Sequence, residues 1–118
     1  MITTSSSRMK KGEIWRATLN PVTGREQAGF RPVLIISGNL LNTHTDIVIA
    51  CPLTTKIKNY HGNLILEPDF NNGLTEISEV LTWQIRSISK KRLRERIGSI
   101  PQSEVAKVHQ TLNDIMRY

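Results

Sequence analysis

Apolar and polar positions along the chain change their spacing once. Over the first hundred residues the pattern is that of strands. Glu13 to Leu19 alternates, with Trp15, Ala17 and Leu19 on one side, as a half-buried strand does. Asn20 to Gly29 (NPVTGREQAG) carries Pro, Gly and Asn and reads as a loop, long for a hairpin connection and of the kind that often carries function. Pro32 to Ser37 and Asp46 to Pro52 are continuous, largely β-branched apolar runs, which predicts two buried strands, with Pro32 at a first position where no ladder bond is lost. Leu64 to Leu66 continues the pattern, Glu79 to Ser87 alternates as one further strand, and Glu95 to Ile100 adds a short one. After that the period becomes helical. Val105, Val108, Leu112, Ile115 and Met116 form one face of an amphipathic helix, opened by a capping box of Ser99 and Gln102 with Pro101 in the first turn. Five or six strands and a terminal helix predict a mainly β fold, a small bent antiparallel sheet or barrel with the helix packed on it.

Length and composition narrow the class. The 118 residues suit one domain, read as 10–118 behind a polar leader over 1–9 that is expected to be disordered. The single cysteine, Cys51, excludes an internal disulfide framework and any zinc site built on several thiolates. It fits a reducing cytoplasm, and it lies in an apolar strand, where a buried, inert thiol is expected. No apolar run is long enough to predict a membrane-spanning helix. The net charge of +6 points to an anionic partner, and most of the excess sits in Arg86 to Arg96 (RSISKKRLRER). Such a run is either a solvated face or a stripe facing phosphates or an acidic protein.

Familiar catalytic patterns are absent from the sequence. His44, His61 and His109 stand at no metal-ligand spacing from one another, with His44 and His61 in predicted loops and His109 on the helix surface. There is no phosphate-binding glycine loop, serine-hydrolase motif or acidic cluster, so neither a metal nor a cofactor is expected. The informative feature is Arg31 at the mouth of a buried strand, a position costly for a charge unless it is paired or faces solvent. Glu26, across the preceding loop, is one partner for it.

From Lys10 onward the chain resembles the MazF/PemK family, the toxin halves of bacterial toxin–antitoxin pairs. The match rests on Lys11-Gly12-Glu13-Ile14-Trp15, then Pro21, Gly24, Glu26-Gln27 and Arg31-Pro32-Val33-Leu34. It continues with Pro52-Leu53-Thr54-Thr55, Gln84-Ile85-Arg86-Ser87-Ile88, Arg92-Leu93 and Gly98. Each piece alone is weak; their order and spacing make the match specific. The resemblance implies an SH3-like curled β-barrel with a C-terminal helix. It also implies a homodimeric, metal-independent endoribonuclease that cuts single-stranded RNA at short sequences. A cognate acidic antitoxin would neutralise it, in a complex that binds DNA through the antitoxin. In the family pattern, Arg31 and Thr54 are the catalytic pair and Glu26 and Gln27 lie near the substrate.

Chemistry agrees with that assignment. Cleavage through the ribose 2′-hydroxyl builds negative charge on the phosphorane oxygens. A guanidinium such as that of Arg31 stays charged and can grip phosphate with two donors, but it is a poor general base. Thr54 adds one donor and is an equally poor base. Glu26 is the carboxylate candidate for that task and equally a candidate for an ion pair with Arg31, so the base stays open. Unpaired bases are read by stacking and edge hydrogen bonds, for which the segment Lys56 to Gly62 offers Lys56, Tyr60 and His61, against the plainer reading of a solvated loop. Phe30 is a second stacking candidate, and Thr55 and Gln84 complete the expected substrate-binding set. Trp15 and Trp83 are expected in core or dimer packing. The chain departs from some relatives at Arg25, where they place a histidine. It departs from the Kid type at Leu81 and Trp83, where that type carries an Arg and an Asp. Two alternatives share the fold or the charge: a non-enzymatic toxin of the CcdB type that binds DNA gyrase, and a non-catalytic RNA-binding barrel.

Overall fold

The two long apolar runs pair with each other and become the centre of a curled antiparallel sheet. A computed structural model describes residues 9–19 and 29–118. Its strands are β1 (Glu13–Thr18), β2 (Phe30–Ile35), β3 (Ile47–Thr54), β4 (Ile65–Leu66), β5 (Ser78–Val80), β6 (Arg86–Ser89) and β7 (Leu93–Ser99). A short helix α1 (Asn39–His44) joins β2 to β3, and α2 (Gln102–Arg117) closes the chain. The sheet order is β4-β5-β3-β2-β1-β7, with β6 also on β3, and every pairing is antiparallel. Two register shifts between β1 and β7 mark bulges, which bend a sheet and raise its twist.

The curl explains why β2 and β3 read as unbroken apolar runs. Successive side chains point to opposite faces, and here both faces are covered. On one, Ile14, Leu34, Cys51, Leu53 and Val80 pack with Val105 and Val108 of α2. On the other, Trp15, Ala17, Val33, Ile35, Val48, Ala50 and Ile88 form a second buried cluster. The mainly β fold with a packed terminal helix is as the pattern predicts. Glu13 is buried at the seam, where its carboxylate accepts from the Lys10 amide and Trp15 Nε1 and pairs with Arg96 at 3.2 Å.

Four local expectations are corrected. Glu79 to Ser87 is two strands: β5 and β6 both pair with β3, but five residues (81–85) face two (51 and 52), and the surplus forms a 3₁₀ turn at Thr82–Gln84. That turn carries Trp83 out to 56% exposure, so it is no core residue of this chain. The capping box does not form, because Ser99 ends β7 and α2 starts at Gln102 with Pro101 as its cap; Gln102 instead donates to the Lys11 carbonyl. His44 lies in α1 and not in a loop; α1 is too short to show a helical period. His109 is on the helix surface, yet its Nε2–H donates to the Ile36 carbonyl at 2.8 Å and ties α2 to the chain leaving β2. The expected leader, all but Met9, lies outside the described residues. Among the described residues no helix is long and apolar enough to cross a membrane.

Candidate active site

Register brings the two nominated residues together. Val33 pairs with Pro52 at the end of the β2–β3 ladder, and just beyond that pair the two adjacent strands carry Arg31 and Thr54. Both line one open cavity of about 470 Å³, with Phe30, Thr55, Lys56 and Ser78 around them. Arg31 is half-buried and donates from Nη2 to the Leu53 carbonyl at 3.3 Å, which holds the guanidinium beside the residue next to Thr54. Thr54 Oγ1 accepts from the Lys56 amide at 3.1 Å. That bond occupies a lone pair and leaves the hydroxyl proton free to point into the cavity. Arg31 and Lys56 are the charged residues of the wall, so among the described residues the cavity is cationic and contains no carboxylate. Such a hollow concentrates field lines on a phosphate.

The remaining nominated residues divide. Phe30, Thr55 and Lys56 are at the wall, Phe30 half-exposed at the rim. Tyr60 and His61 are exposed on the loop that leaves Lys56, and Gln84 is half-buried on the 3₁₀ turn; none of these three lines the cavity. Glu26 and Gln27 lie outside the described residues. Among the described residues no cluster of three or more His, Cys, Asp or Glu could hold a metal.

Two residues escaped the sequence reading. Ser78 is buried in the cavity wall, its hydroxyl donating to the Glu76 carbonyl at 3.0 Å. Glu79 has no exposed surface, and its carboxylate accepts from the backbone amides of Lys58 (2.7 Å), Asn59 (2.9 Å) and Tyr60 (2.9 Å) and from Asn63 Nδ2 (2.9 Å). Burial pushes the Glu79 carboxyl up, but these four hydrogen bonds outweigh it and the net shift is downward. The signal was a glutamate beside Val80 and Leu81 in a predicted strand, a charge that needs a partner set if it is buried.

With this geometry in hand, comparison with known proteins defines the class. Residues 10–116 match the family described as PemK-like, MazF-like toxin of type II toxin–antitoxin system, and the chain belongs to that family. Among individual relatives, it is 33% identical over 105 residues to Endoribonuclease EndoA of Bacillus subtilis, covering 88% of this chain and 90% of that one. It is 32% identical over 106 residues to Endoribonuclease MazF of Staphylococcus epidermidis, covering 89% and 88%. Crystal structures of MazF and of MazE–MazF from Deinococcus radiodurans superpose with TM-scores of 0.71 and 0.76, each at 27% identity over 92% of this chain and 96% and 95% of theirs.

Proposed function

We propose that this chain is a sequence-specific endoribonuclease toxin that cuts single-stranded RNA by 2′-hydroxyl attack, without a metal, and that a cognate antitoxin neutralises it in the cytoplasm. The observation that carries the reading is the meeting of Arg31 and Thr54 at one cationic cavity. The family and the relatives named as endoribonucleases support it.

In this mechanism the 2′-hydroxyl gives up its proton as its oxygen bonds to the adjacent phosphorus, and the bond to the 5′-oxygen breaks as that oxygen takes up a proton, leaving a 2′,3′-cyclic phosphate and a 5′-hydroxyl. Arg31 donates to the phosphorane oxygens as charge builds there, and Thr54 adds one donor from the opposite strand. The guanidinium enters already held by the Leu53 carbonyl, so little reorganisation is needed at the moment of reaction. Proton transfer from the 2′-hydroxyl needs a base that the described wall does not supply, which keeps Glu26 as the candidate. The loop bearing Lys56, Tyr60 and His61 reads the neighbouring nucleotides, and an acidic antitoxin segment covers the same cationic hollow. The MazE–MazF complex of Deinococcus radiodurans supports an antitoxin partner. The active unit is a homodimer.

The purified protein is incubated with varied single-stranded RNAs in EDTA. Discrete fragments ending in 2′,3′-cyclic phosphate are expected. Arg31→Ala is expected to lose about 10²–10³-fold in rate, and Thr54→Val less, at nearly unchanged shape. No cutting of any RNA by the parent sinks the nuclease reading; equal cutting by parent and Arg31→Ala sinks the assignment of Arg31.

A further inference from the structure

We propose that Glu79 is the positioning residue of RNA recognition: its buried carboxylate clamps the Lys58–Tyr60 backbone and so fixes the loop that presents Lys56, Tyr60 and His61 beside the Arg31–Thr54 cavity. The inference rests on the endoribonuclease reading and names the device that shapes its substrate site.

The geometry is that of an anion held in a nest of backbone amides. Three successive N–H groups, from Lys58, Asn59 and Tyr60, converge on one carboxylate, and Asn63 Nδ2 supplies a fourth donor. Successive amides converge in this way where the backbone turns through the left-handed region, and Asn59 has φ of +56°. Asparagine is among the few residues other than glycine that adopt it readily. Further along, Asn63 N donates to the Tyr60 carbonyl at 3.0 Å, and Thr111 of α2 donates to the Gly62 carbonyl. The loop is thus fastened at both ends and in the middle, while Lys56, Lys58, Tyr60 and His61 remain exposed.

The position of the clamp links it to the reaction. Glu79 pairs with Thr54 across β5 and β3, so the residue that holds the loop is the ladder neighbour of the proposed catalytic threonine. Its own strand neighbour, Ser78, lines the cavity. A loop ordered before RNA arrives spends less of the binding free energy on its own immobilisation, so loss of the clamp falls on substrate binding and spares the chemical step. Glu79 touches no substrate in this arrangement; it acts through the loop.

The test compares the parent, Glu79→Gln and Asn63→Ala in steady-state cleavage of one RNA, with hydrogen exchange of the Lys58, Asn59 and Tyr60 amides in the same preparations. Glu79→Gln keeps the shape and one acceptor oxygen but turns the other position into a donor facing donors. It is expected to raise KM about tenfold with kcat within about threefold, and to speed exchange of the three amides selectively. Asn63→Ala removes one of the four donors, leaves Glu79 in place and is expected to shift KM in the same direction by less. Equal loss of kcat, or exchange that rises throughout the sheet, overturns the proposal in favour of a general folding role. Unprotected loop amides with unchanged KM overturn the link to recognition. A parent that cuts no RNA defeats the nuclease reading and this one as recognition, while the exchange measurement still decides whether the clamp exists.

Discussion

At the scale of single residues, two buried groups are held at opposite ends of their titration by their surroundings. Cys51 sits in β3 with no exposed surface, and burial pushes its thiol up to about 12. The thiolate is the nucleophile, so native protein at pH 8 is expected to resist a thiol reagent and to label only as fast as it unfolds. Rapid labelling of folded protein contradicts this. Glu79 moves the other way, its carboxyl held below the ordinary 4.5 in the folded chain. A folded value below the unfolded one means that the stabilisation is present above the unfolded value and is lost as pH falls through the folded one. The Lys58, Asn59 and Tyr60 amide resonances are therefore expected to stay constant from pH 7 to 5 and to titrate together, with a midpoint under 4.5. A midpoint at or above that value, or the same titration in Glu79→Gln, removes Glu79 as its source.

Among the elements, β7 and the segment before β5 illustrate packing that tolerates no added atom. Asn72 is buried and accepts from the Asp69 and Leu74 amides while donating to the Glu67 carbonyl, which folds residues 67–74 into a compact loop. That loop lies directly on Gly98, where an added Cβ overlaps backbone atoms of Asn71 and Asn72. Backbone cannot swing aside as a side-chain tip can. Gly98→Ala is expected to cost about 1–3 kcal/mol in denaturant unfolding, the ordinary cost of overpacking. Gly38→Ala, with nothing within 4 Å of its Cβ, is expected to cost less. Equal effects argue that the 67–74 loop yields. The same scale holds the break between β5 and β6. Alternation of side chains is a property of each residue's backbone, so Glu79 to Ser87 has the pattern of one strand. The three surplus residues arise only because both halves must pair with β3 in registers set by other parts of the sheet.

For the whole molecule, the positive charge is less free than its +6 suggests. Arg86 and Arg92 donate to the Leu19 carbonyl, and Arg92 also to that of Thr18. Lys90 donates to the Asn42 carbonyl, and Arg96 pairs with Glu13. Four of the six cations of the Arg86–Arg96 segment thus fasten β1 and α1 to the sheet. Lys91 and Arg94 have no side-chain hydrogen bond or ion pair among the described residues. Replacing both with alanine is expected to leave stability unchanged and to reduce the salt dependence of RNA binding by about 0.7 in slope for each phosphate no longer neutralised. Arg92→Ala is expected to lower thermal stability instead. An unchanged slope in the double variant assigns the segment to structure alone.

What the sequence determined by itself is the local and the linear. The strand alternation of Glu13 to Leu19 and the helical periodicity after Pro101 follow from side-chain direction, which needs no distant partner. The ordered motifs from Lys11 to Gly98 were enough to point to the family and to nominate Arg31 and Thr54. Tertiary structure alone decided what depends on pairing between distant segments. It set Arg31 against Thr54 at one cavity, assigned four cations of the basic run to carbonyls and a carboxylate, and expelled Trp83 on a 3₁₀ turn. It also turned Glu79 from one more strand residue into the clamp of a loop some twenty positions away. Those outcomes rest on register and loop closure, where the free energy belongs to interactions between segments and leaves no periodic trace in either one.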